Sequence, residues 1–183
     1  DAHRAASQVR KTRQKRFRSQ NRNFFIDPSS EQIDRWLGSA HTPREMILGR
    51  SKFETQLQVR PDDIDMNQHV HGSRYHDYVL AARYEQMQRC YKMPMEDFLD
   101  RGLGWFTRMA HLEYKRPLRL GDHFVVRTWI DEMFKDGVRV HFEILKKPSG
   151  KLSCSGHFEY TMVNIQTGRA EEIPDWIASK YSV

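Results

Sequence analysis

The strongest constraint on the fold is an alternation of polar and apolar residues in the part of the chain after Gly104. It runs through four stretches, WFTRMAHLEYKRPL, DHFVVRTWIDEMF, VRVHFEILKK and KLSCSGHFEYTMVNI. A period of two puts neighbouring side chains on opposite faces, as in half-buried strands. Short turn sequences separate the stretches at 120–122, 135–137 and 148–150. The sequence therefore predicts four strands joined by tight turns in an antiparallel meander.

A further strand and one long helix are predicted ahead of the meander. KFETQLQVRP alternates in the same way and ends at Pro61. From Ser73 to Pro94 the apolar spacing changes to three and four, through Tyr75, Tyr78, Val79, Ala82, Met87, Cys90 and Tyr91. This spacing predicts a helix of about five turns that is entered through Gly72 and Ser73.

Shorter helices are predicted at 30–37, in MEDFLDRG and after Pro174. One strand, one long helix and four antiparallel strands make an α+β fold. Only the long helix can cover the sheet, so we expect it at the centre of the core.

The positive charge of the chain is concentrated in an N-terminal arm. Residues 1–22 hold eight basic residues and one acidic residue, a net charge of +7, whereas the remainder carries −1. The arm has few large apolar residues before Phe24, so it cannot bury a face of its own. We divide the chain into a basic arm at 1–28, a short helix and linker at 29–51, and a folded domain at 52–183.

The two cysteines and the hydropathy of the sequence indicate the cellular compartment. Cys90 and Cys154 lie far apart without metal-ligand spacing, which favours a reducing compartment and argues against disulfides or structural zinc. No apolar run is long enough to cross a bilayer as a helix. The Arg-rich front end resembles what remains after organelle import. The expected location is therefore intracellular, in the cytoplasm or in a mitochondrial or plastid matrix.

The stretch DDIDMNQHVHGSRYHDYVLAAR, residues 62–83, joins the first strand to the long helix and concentrates polar chemistry. It permits a catalytic site, a metal site or a polar turn before a helix. His69 and His71 straddle the helix entry and no third ligand has firm spacing, so no metal is expected. We expect His111, His123, His141 and His157 on sheet faces. Arg83 is expected to pair with a carboxylate.

The order of elements, with DIDMNQHV at the strand–helix junction and EYKRPLRLGDHFVVRTWI later, resembles the hotdog-fold thioesterases. It is closest in pattern to the 4-hydroxybenzoyl-CoA thioesterase and acyl-ACP thioesterase branches, over residues 52–176. The resemblance implies an antiparallel sheet wrapped around one central helix. It also implies a homodimer or higher homo-oligomer with active sites at the subunit interface, and no cofactor.

Asp65 falls where the 4-hydroxybenzoyl-CoA branch carries its catalytic aspartate. Asp65, Asn67 and His69 resemble the Asp-x-Asn-x-His arrangement of the plant-type enzymes. There are departures, because His71 and Gly72 replace two asparagines that the acyl-ACP branch usually has. Pro117 and Leu80 stand where related enzymes carry acidic residues.

Thioester hydrolysis needs a base or nucleophile and donors for the developing oxyanion. In an extended segment Asp65, Asn67 and His69 would point to one side. The backbone N–H groups of His71, Gly72 and Ser73 lie at the helix start and are expected to form the oxyanion hole. Gly72 would let the carbonyl approach closely.

The substrate-binding residues and the role of the arm are the remaining predictions. Tyr75 fits the core and is also a candidate for binding substrate. Four cations, Arg108, Lys115, Arg116 and Arg119, fit either a binding site for the phosphates of CoA or phosphopantetheine or a solvated sheet face.

The main hypothesis is hydrolysis of an acyl-CoA or acyl-ACP thioester. The alternative is a catalytically silent hotdog domain held in a larger assembly, such as a ribonucleoprotein, through its arm. An acidic partner or RNA would then contact Arg10, Lys11, Arg13, Lys15, Arg16 and Arg18.

Overall fold

The computed structural model describes residues 51–182. The predictions for the basic arm, for the helix at 30–37 and for the linker lie outside the described residues. Within them the chain forms five strands and three α-helices. In chain order these are β1 (Phe53–Gln58), α1 (Gly72–Arg89), α2 (Met95–Leu99), β2 (Leu103–Tyr114), β3 (His123–Met133), β4 (Gly137–Lys146), β5 (Lys151–Asn164) and α3 (Asp175–Ala178).

The local predictions for these elements are confirmed. Along β1 half-buried and exposed residues alternate without a break, as the period of two predicted. Helix α1 has 18 residues, which is five turns, and it begins at Gly72. Helices α2 and α3 start after Pro94 and Pro174, whose fixed φ angle suits a helix entry.

The predicted meander is correct for three strands and wrong for β2. The sheet order is β1-β3-β4-β5-β2, with every pair antiparallel. Strands β3, β4 and β5 follow one another through tight turns. Strand β2 pairs with β5 at one edge of the sheet, and the connection at 115–122 carries the chain to the other side. That connection is too long for a tight hairpin, so β2 and β3 are not forced to pair.

Helix α1 lies against one face of this sheet and fills the core with aromatic side chains. The ring of Tyr78 lies 4.7 Å from that of Phe124 on β3, and the ring of His76 lies 5.0 Å from that of Phe158 on β5. Val79 and Ala82 are fully buried between these contacts. The predicted position of the helix at the centre of the core is therefore confirmed.

The opposite face of the sheet carries a row of rings that crosses four strands. The imidazoles of His111, His157 and His141 stack in succession with centroids 5.3 Å apart, and Trp129 follows at 5.5 Å. The predicted sheet-face positions of these histidines are confirmed. Charged groups line the row. They are Glu113 beside His111, Asp131 beside His141, and the Arg139–Glu159 ion pair next to His157.

The histidine row predicts a loss of stability in mild acid. Burial lowers the pKa of His157, and the nearby charges of His141 and Arg139 lower it further. Because the unfolded chain then binds this proton more readily, the stabilisation is complete above about pH 6.5 and is lost as the pH falls toward the folded-state pKa. Urea unfolding at several pH values should show a smaller acid loss in His157→Gln. The matched change in the exposed His123 should keep the wild-type pH dependence, and equal curves for all three proteins would contradict the assignment.

Both cysteines are free thiols. Burial raises the pKa of Cys154 to about 12, so its thiol stays protonated at neutral pH. Among residues 51–182 no helix combines the length and apolar character needed to cross a bilayer.

Candidate functional site

A buried carboxylate, Asp63, anchors the connection between β1 and α1. A single 3-10 turn, Pro61–Asp63, follows the strand. The Asp63 side chain accepts hydrogen bonds from the backbone N–H of Arg60 at 3.1 Å and from its guanidinium at 3.2 and 3.3 Å. The hydroxyl of Tyr78 donates to the same carboxylate at 2.7 Å. These contacts fix the chain between strand and helix.

Burial works to raise the pKa of Asp63, but the hydrogen bonds from Arg60 and Tyr78 outweigh it and hold the pKa below its usual value. The converse holds for Tyr78, whose pKa is raised by burial and by donation to an ionised carboxylate. Asp63 is therefore charged at neutral pH.

Asp65 lies in a tight turn, so the extended segment in which Asp65, Asn67 and His69 would point to one side is not formed. The Asp65 N–H donates to the His69 carbonyl at 2.8 Å, and the Gln68 N–H donates to the Asp65 carbonyl at 3.0 Å. A bridge between Ile64 and Val70 closes the turn, and Gln68 adopts a left-handed φ of 59°. Strand alternation does not apply to a turn, so the side chains of Asp65, Asn67 and His69 do not share a strand face.

The turn instead orients Asp65 through backbone groups of the other two predicted residues. The N–H groups of Asn67 and His69 donate to Oδ1 of Asp65 at 2.8 and 3.3 Å. Oδ2 of Asp65 accepts no hydrogen bond from residues 51–182. Partial burial acts to raise the pKa of Asp65, but the two backbone hydrogen bonds and the nearby imidazoles of His69 and His71 lower it below its usual value. Asp65 therefore presents an ionised oxygen held in a fixed direction.

Helix α1 is capped by His71, a role that the sequence did not reveal. Nδ1 of His71 accepts the Ser73 N–H at 3.3 Å and lies 2.9 Å from the Ser73 hydroxyl. Because Nδ1 serves as an acceptor, neutral His71 carries its proton on Nε2. Ser, Thr, Asp and Asn are the usual caps, so the residue type gave no signal.

The His71 cap and the turn before it reduce the number of N–H groups available in the predicted oxyanion hole. The His71 N–H donates to the Asp63 carbonyl at 2.9 Å and the Ser73 N–H is taken by the His71 ring, so neither is free. The Gly72 N–H, by contrast, has no acceptor among the described residues. Of the three predicted donors, Gly72 alone keeps an available N–H group at the positive end of the helix.

Tyr114, which the sequence did not single out, lies against Gly72. Its hydroxyl donates to the Gly72 carbonyl at 2.9 Å, and its ring packs edge-on against Tyr75 at 5.2 Å. The hydroxyl of Tyr75 accepts the Leu118 N–H at 3.0 Å inside the core. Tyr75 therefore positions the connection after β2. Tyr114 is a large aromatic that stays about half exposed, at 55%, where a strand ends.

The four predicted phosphate-binding cations are divided between two places. Lys115 and Arg116 follow Tyr114 directly. Lys115 pairs with Glu113, and Arg116 donates to the Leu152 carbonyl at 3.1 Å. Arg119 is exposed on the same connection. Arg108 lies at a bulge in the middle of β2, six residues from Tyr114. The structure thus places three of the cations on the connection that follows Tyr114, the residue that contacts Gly72, and the fourth within β2.

The described part of the chain contains no group of side chains arranged as a metal site. No three His, Cys, Asp or Glu side chains between residues 51 and 182 are placed to hold one metal ion. His69 and His71 serve the turn and the helix cap.

Comparison with known proteins agrees with this architecture. The family model of the thioesterase-like superfamily matches residues 59–181. The long-chain acyl-CoA thioesterase FadM of Escherichia coli K12 is 19% identical over 118 residues, which covers 64% of this chain and 88% of that protein.

Two solved structures from Staphylococcus aureus share the fold. DHNA-CoA thioesterase superposes with a TM-score of 0.67 at 18% identity, covering 72% of this chain and 89% of that one. SAV2348, solved in complex with CoA, gives 0.65 at 20% identity, with coverages of 75% and 84%. The predicted hotdog fold is confirmed. Because the family model spans most of the chain, this protein belongs to the thioesterase-like superfamily.

Proposed function

We propose that the protein hydrolyses the thioester of an acyl-CoA or acyl-ACP substrate, with Asp65 as general base or nucleophile. The observation that carries this proposal is the state of Asp65, whose Oδ1 is held by two backbone N–H groups while Oδ2 has no partner among residues 51–182. An ionised carboxylate with one free oxygen can accept a proton from water or attack a carbonyl carbon.

As general base, Asp65 takes a proton from a water molecule whose oxygen attacks the thioester carbonyl carbon. The developing oxyanion accepts the Gly72 N–H at the start of α1, where the helix dipole favours negative charge. The C–S bond then breaks, and the thiolate leaves and takes up a proton. As nucleophile, Asp65 would form a mixed anhydride that water hydrolyses.

Two similar proteins and three exposed cations bear on the group that carries the acyl chain of the substrate. FadM is a long-chain acyl-CoA thioesterase, and SAV2348 was solved with CoA. In this chain Lys115, Arg116 and Arg119 lie on the segment that follows Tyr114, and Tyr114 contacts Gly72. Exposed cations in that place suit the phosphates of CoA or phosphopantetheine.

The direct test measures release of free thiol from short, long and aromatic acyl-CoAs and from the same acyl groups on a carrier protein. Turnover on at least one substrate supports the proposal, and the preferred substrate names the acyl group and the carrier. A protein that is folded by circular dichroism but inactive on the whole panel would contradict it.

We also propose that the protein forms a homodimer, on the evidence of an exposed sheet edge among the described residues. Strand β2 is 12 residues long and lies at an edge of the sheet, with Phe106, Met109 and Tyr114 exposed along it. A long apolar edge strand is open to pairing with another strand, here that of a second copy. Sedimentation or light scattering should therefore report at least a dimer.

Gly72→Ala tests the oxyanion donor. A Cβ at this position would lie 3.5 Å from Oη and 3.7 Å from Cζ of Tyr114, which is ordinary contact, so the fold should persist. The added methyl would crowd the approach of a carbonyl oxygen to the N–H group. We expect kcat to fall about tenfold to a hundredfold, which is less than the full loss of a donor. An unchanged kcat in a folded variant would remove Gly72 from the mechanism.

A further inference from the structure

Six basic side chains lie together at one end of the sheet. They come from two segments, the connection at 115–122 between β2 and β3 and the hairpin at 146–151 between β4 and β5. We name them the basic end of the sheet. Its members are Lys115, Arg116, Arg119, Lys146, Lys147 and Lys151. Lys146 is half-buried and the other five are exposed, so the basic end faces the surroundings of the protein.

Direct contacts hold the connection and the hairpin against each other. The Arg116 guanidinium donates to the Leu152 carbonyl, just after the hairpin, at 3.1 Å. Asp122 lies between the two segments. Its carboxylate accepts the Arg119 N–H at 2.9 Å and lies 2.6 Å from the Lys146 ammonium. The basic end is therefore one surface and not two separate ones.

The basic end concentrates positive charge in a domain that is neutral overall. Residues 115–122 and 146–151 hold six basic residues and one acidic residue, a net charge of +5. Residues 51–183 hold 19 residues of each sign. Two acids already contact this surface, Glu113 beside Lys115 and Asp122 beside Lys146. With both acids counted, six basic residues against two acidic ones still leave a net charge of +4.

Arginines elsewhere in the domain are held by contacts within it. Arg127 lies between Glu54 and Glu143 on the outer face of the sheet. Arg83 is buried in the core, where its guanidinium donates to Oγ1 of Thr128 at 3.3 Å. No carboxylate among residues 51–182 lies within ion-pair distance of Arg83, so its expected pairing with an acid is not found in this part of the chain. These side chains serve the fold, whereas the basic end is exposed.

The connection that carries three of the six cations also contacts the candidate site. Tyr114, which directly precedes the connection, donates to the Gly72 carbonyl at 2.9 Å. Within the connection, the Leu118 carbonyl accepts the Val70 N–H at 2.9 Å. The basic end is thus joined to the start of α1 and to the turn that holds Asp65.

The two segments differ in the type of cation that they supply. The connection holds both arginines, whose planar guanidinium can bind a phosphate through two parallel hydrogen bonds. The hairpin holds lysines alone, at positions 146, 147 and 151. A lysine ammonium is a point charge on a flexible stem. Such charges attract a partner of opposite sign and speed its association. The connection therefore suits a phosphate group, and the hairpin suits carboxylates spread over a protein surface.

The chain itself is not a source of net negative charge for this surface. Residues 1–50 hold 11 basic and five acidic residues, and a second copy has the same net charge of +6. A single phosphate would also leave most of the six cations unused. The complementary partner is therefore a different molecule that carries a phosphate and an extended acidic surface.

We propose that the basic end docks the acidic surface of a carrier protein that presents the acyl group on phosphopantetheine. The inference rests on the proposed hydrolase function and identifies the partner that brings the thioester to that site. Arg116 and Arg119 bind the phosphate of phosphopantetheine. Lys147 and Lys151 contact carboxylates of the carrier protein. A CoA ester has no such protein surface, so it uses the connection and not the hairpin.

Charge reversal in the hairpin of the full chain tests this division. In Lys147→Glu/Lys151→Glu, kcat/KM is measured for an acyl group on a purified acidic acyl carrier protein and for the CoA ester of the same acyl group. The value for the carrier-protein substrate should fall at least about tenfold, because like charges then face each other. The value for the CoA ester should stay within about twofold of wild type, since exposed charges outside its contacts matter little.

The matched control makes the same change in net charge at the other end of the sheet, in Lys135→Glu/Arg169→Glu. Lys135 lies in the turn between β3 and β4, and Arg169 follows β5. The ammonium of Lys135 is 3.6 Å from Glu172, and both side chains are exposed, so the loss of this pair costs little. Both substrates should keep their wild-type kcat/KM. An equal loss in the control and in the hairpin variant would overturn the docking surface, because net charge alone would then explain it.

Binding measured without turnover separates this inference from the hydrolase function. The full chain is titrated calorimetrically with the holo carrier protein, whose phosphopantetheine bears no acyl group. The Kd should rise with salt, and it should rise at least about tenfold in the hairpin variant but not in the control. That result supports the docking surface even in a protein that hydrolyses no thioester. Hydrolysis of acyl-CoA, with carrier-protein binding absent or unchanged in the hairpin variant, would overturn the docking surface and leave the hydrolase function in place.

Two further measurements close the test. Lys147→Gln/Lys151→Gln removes the charges without reversing them and replaces the first variant if that one does not fold. Its carrier-protein kcat/KM should fall about threefold. Single-stranded RNA is titrated as a second polyanion. Loss of RNA binding in the hairpin variant, with carrier-protein binding unchanged, would assign the surface to a nucleic acid and overturn the proposal.

Discussion

Replacing Asp65 with asparagine is expected to lower kcat for thioester hydrolysis by about 10²-fold to 10⁴-fold, the usual contribution of a positioned base. The amide oxygen of asparagine can still accept the N–H groups of Asn67 and His69, so the turn should be kept. The amide cannot take a proton from water. The fall should therefore appear in kcat with KM little changed, since substrate contacts elsewhere remain.

The matched control for this variant is Asp62→Asn, the same chemical change three residues earlier. The Asp62 side chain is 69% exposed, and within residues 51–182 its ion-pair contact is with Arg60, so wild-type turnover is expected. A wild-type kcat in Asp65→Asn, or an equal loss in Asp62→Asn, would remove Asp65 from the role of base or nucleophile.

The pH dependence of kcat/KM is an independent test of the catalytic role of Asp65. Its pKa lies below the usual aspartate value, because the backbone hydrogen bonds and the neighbouring imidazoles outweigh the effect of burial. The carboxylate is therefore ionised across neutral and mildly acid pH. The limb of kcat/KM that belongs to this group should fall only below about pH 4.

The sequence was sufficient to predict which segments form helices and strands, but it was not sufficient to predict which strands pair. The period of two in β1 and the spacing of three and four in α1 are properties of single segments, and both predictions were confirmed. The placement of β2 was wrong because alternation shows that a segment is a strand but does not show which strand pairs with it. The length of the connection at 115–122 was the available signal.

In the candidate site, the motif located the residues but not their geometry. Asp65, Asn67 and His69 do meet, yet through backbone N–H groups in a turn that depends on the left-handed Gln68. The contact of Tyr114 with Gly72 joins residues far apart in the sequence, which spacing does not show. The His71 cap is a local contact with Ser73, but histidine is not a usual capping residue and so gave no signal. The sequence did not single out Asp63, because nothing local shows that its side chain is buried.

The largest expected effect on stability belongs to that buried residue. In Asp63→Ala the hydroxyl of Tyr78 loses its acceptor inside the core, Arg74 loses an ion-pair contact, and the guanidinium of Arg60 keeps its contact with Asp62 but loses its hydrogen bonds to Asp63. The Arg60 side chain is 59% exposed and can return to water, so most of the cost comes from Tyr78 and from the freed Arg60 N–H. We expect a loss of about 3 kcal/mol in the free energy of unfolding, at the lower end of the cost of breaking a buried ion pair.

Urea unfolding of Asp63→Ala, Tyr78→Phe and the double variant measures this contribution. If the two side chains act through one hydrogen bond, the double variant should be less destabilised than the sum of the single ones. Asp62→Ala is the exposed control and should change stability by less than about 0.5 kcal/mol. Additive single variants, or equal losses in the Asp62 and Asp63 variants, would show that the carboxylate of Asp63 does not anchor the turn.

The lowered pKa of Asp63 also predicts how the free energy of unfolding changes in acid. The folded-state pKa of Asp63 is lowered, so its stabilisation is complete above the unfolded value of about pH 4 and is lost as the pH falls through the folded-state pKa. Asp63→Ala has no such group. The difference in unfolding free energy between wild type and variant should therefore be constant near neutrality and shrink below about pH 4. A difference that stays constant into strong acid would mean that the cost arises from lost packing and not from the charge that joins Arg60 and Tyr78.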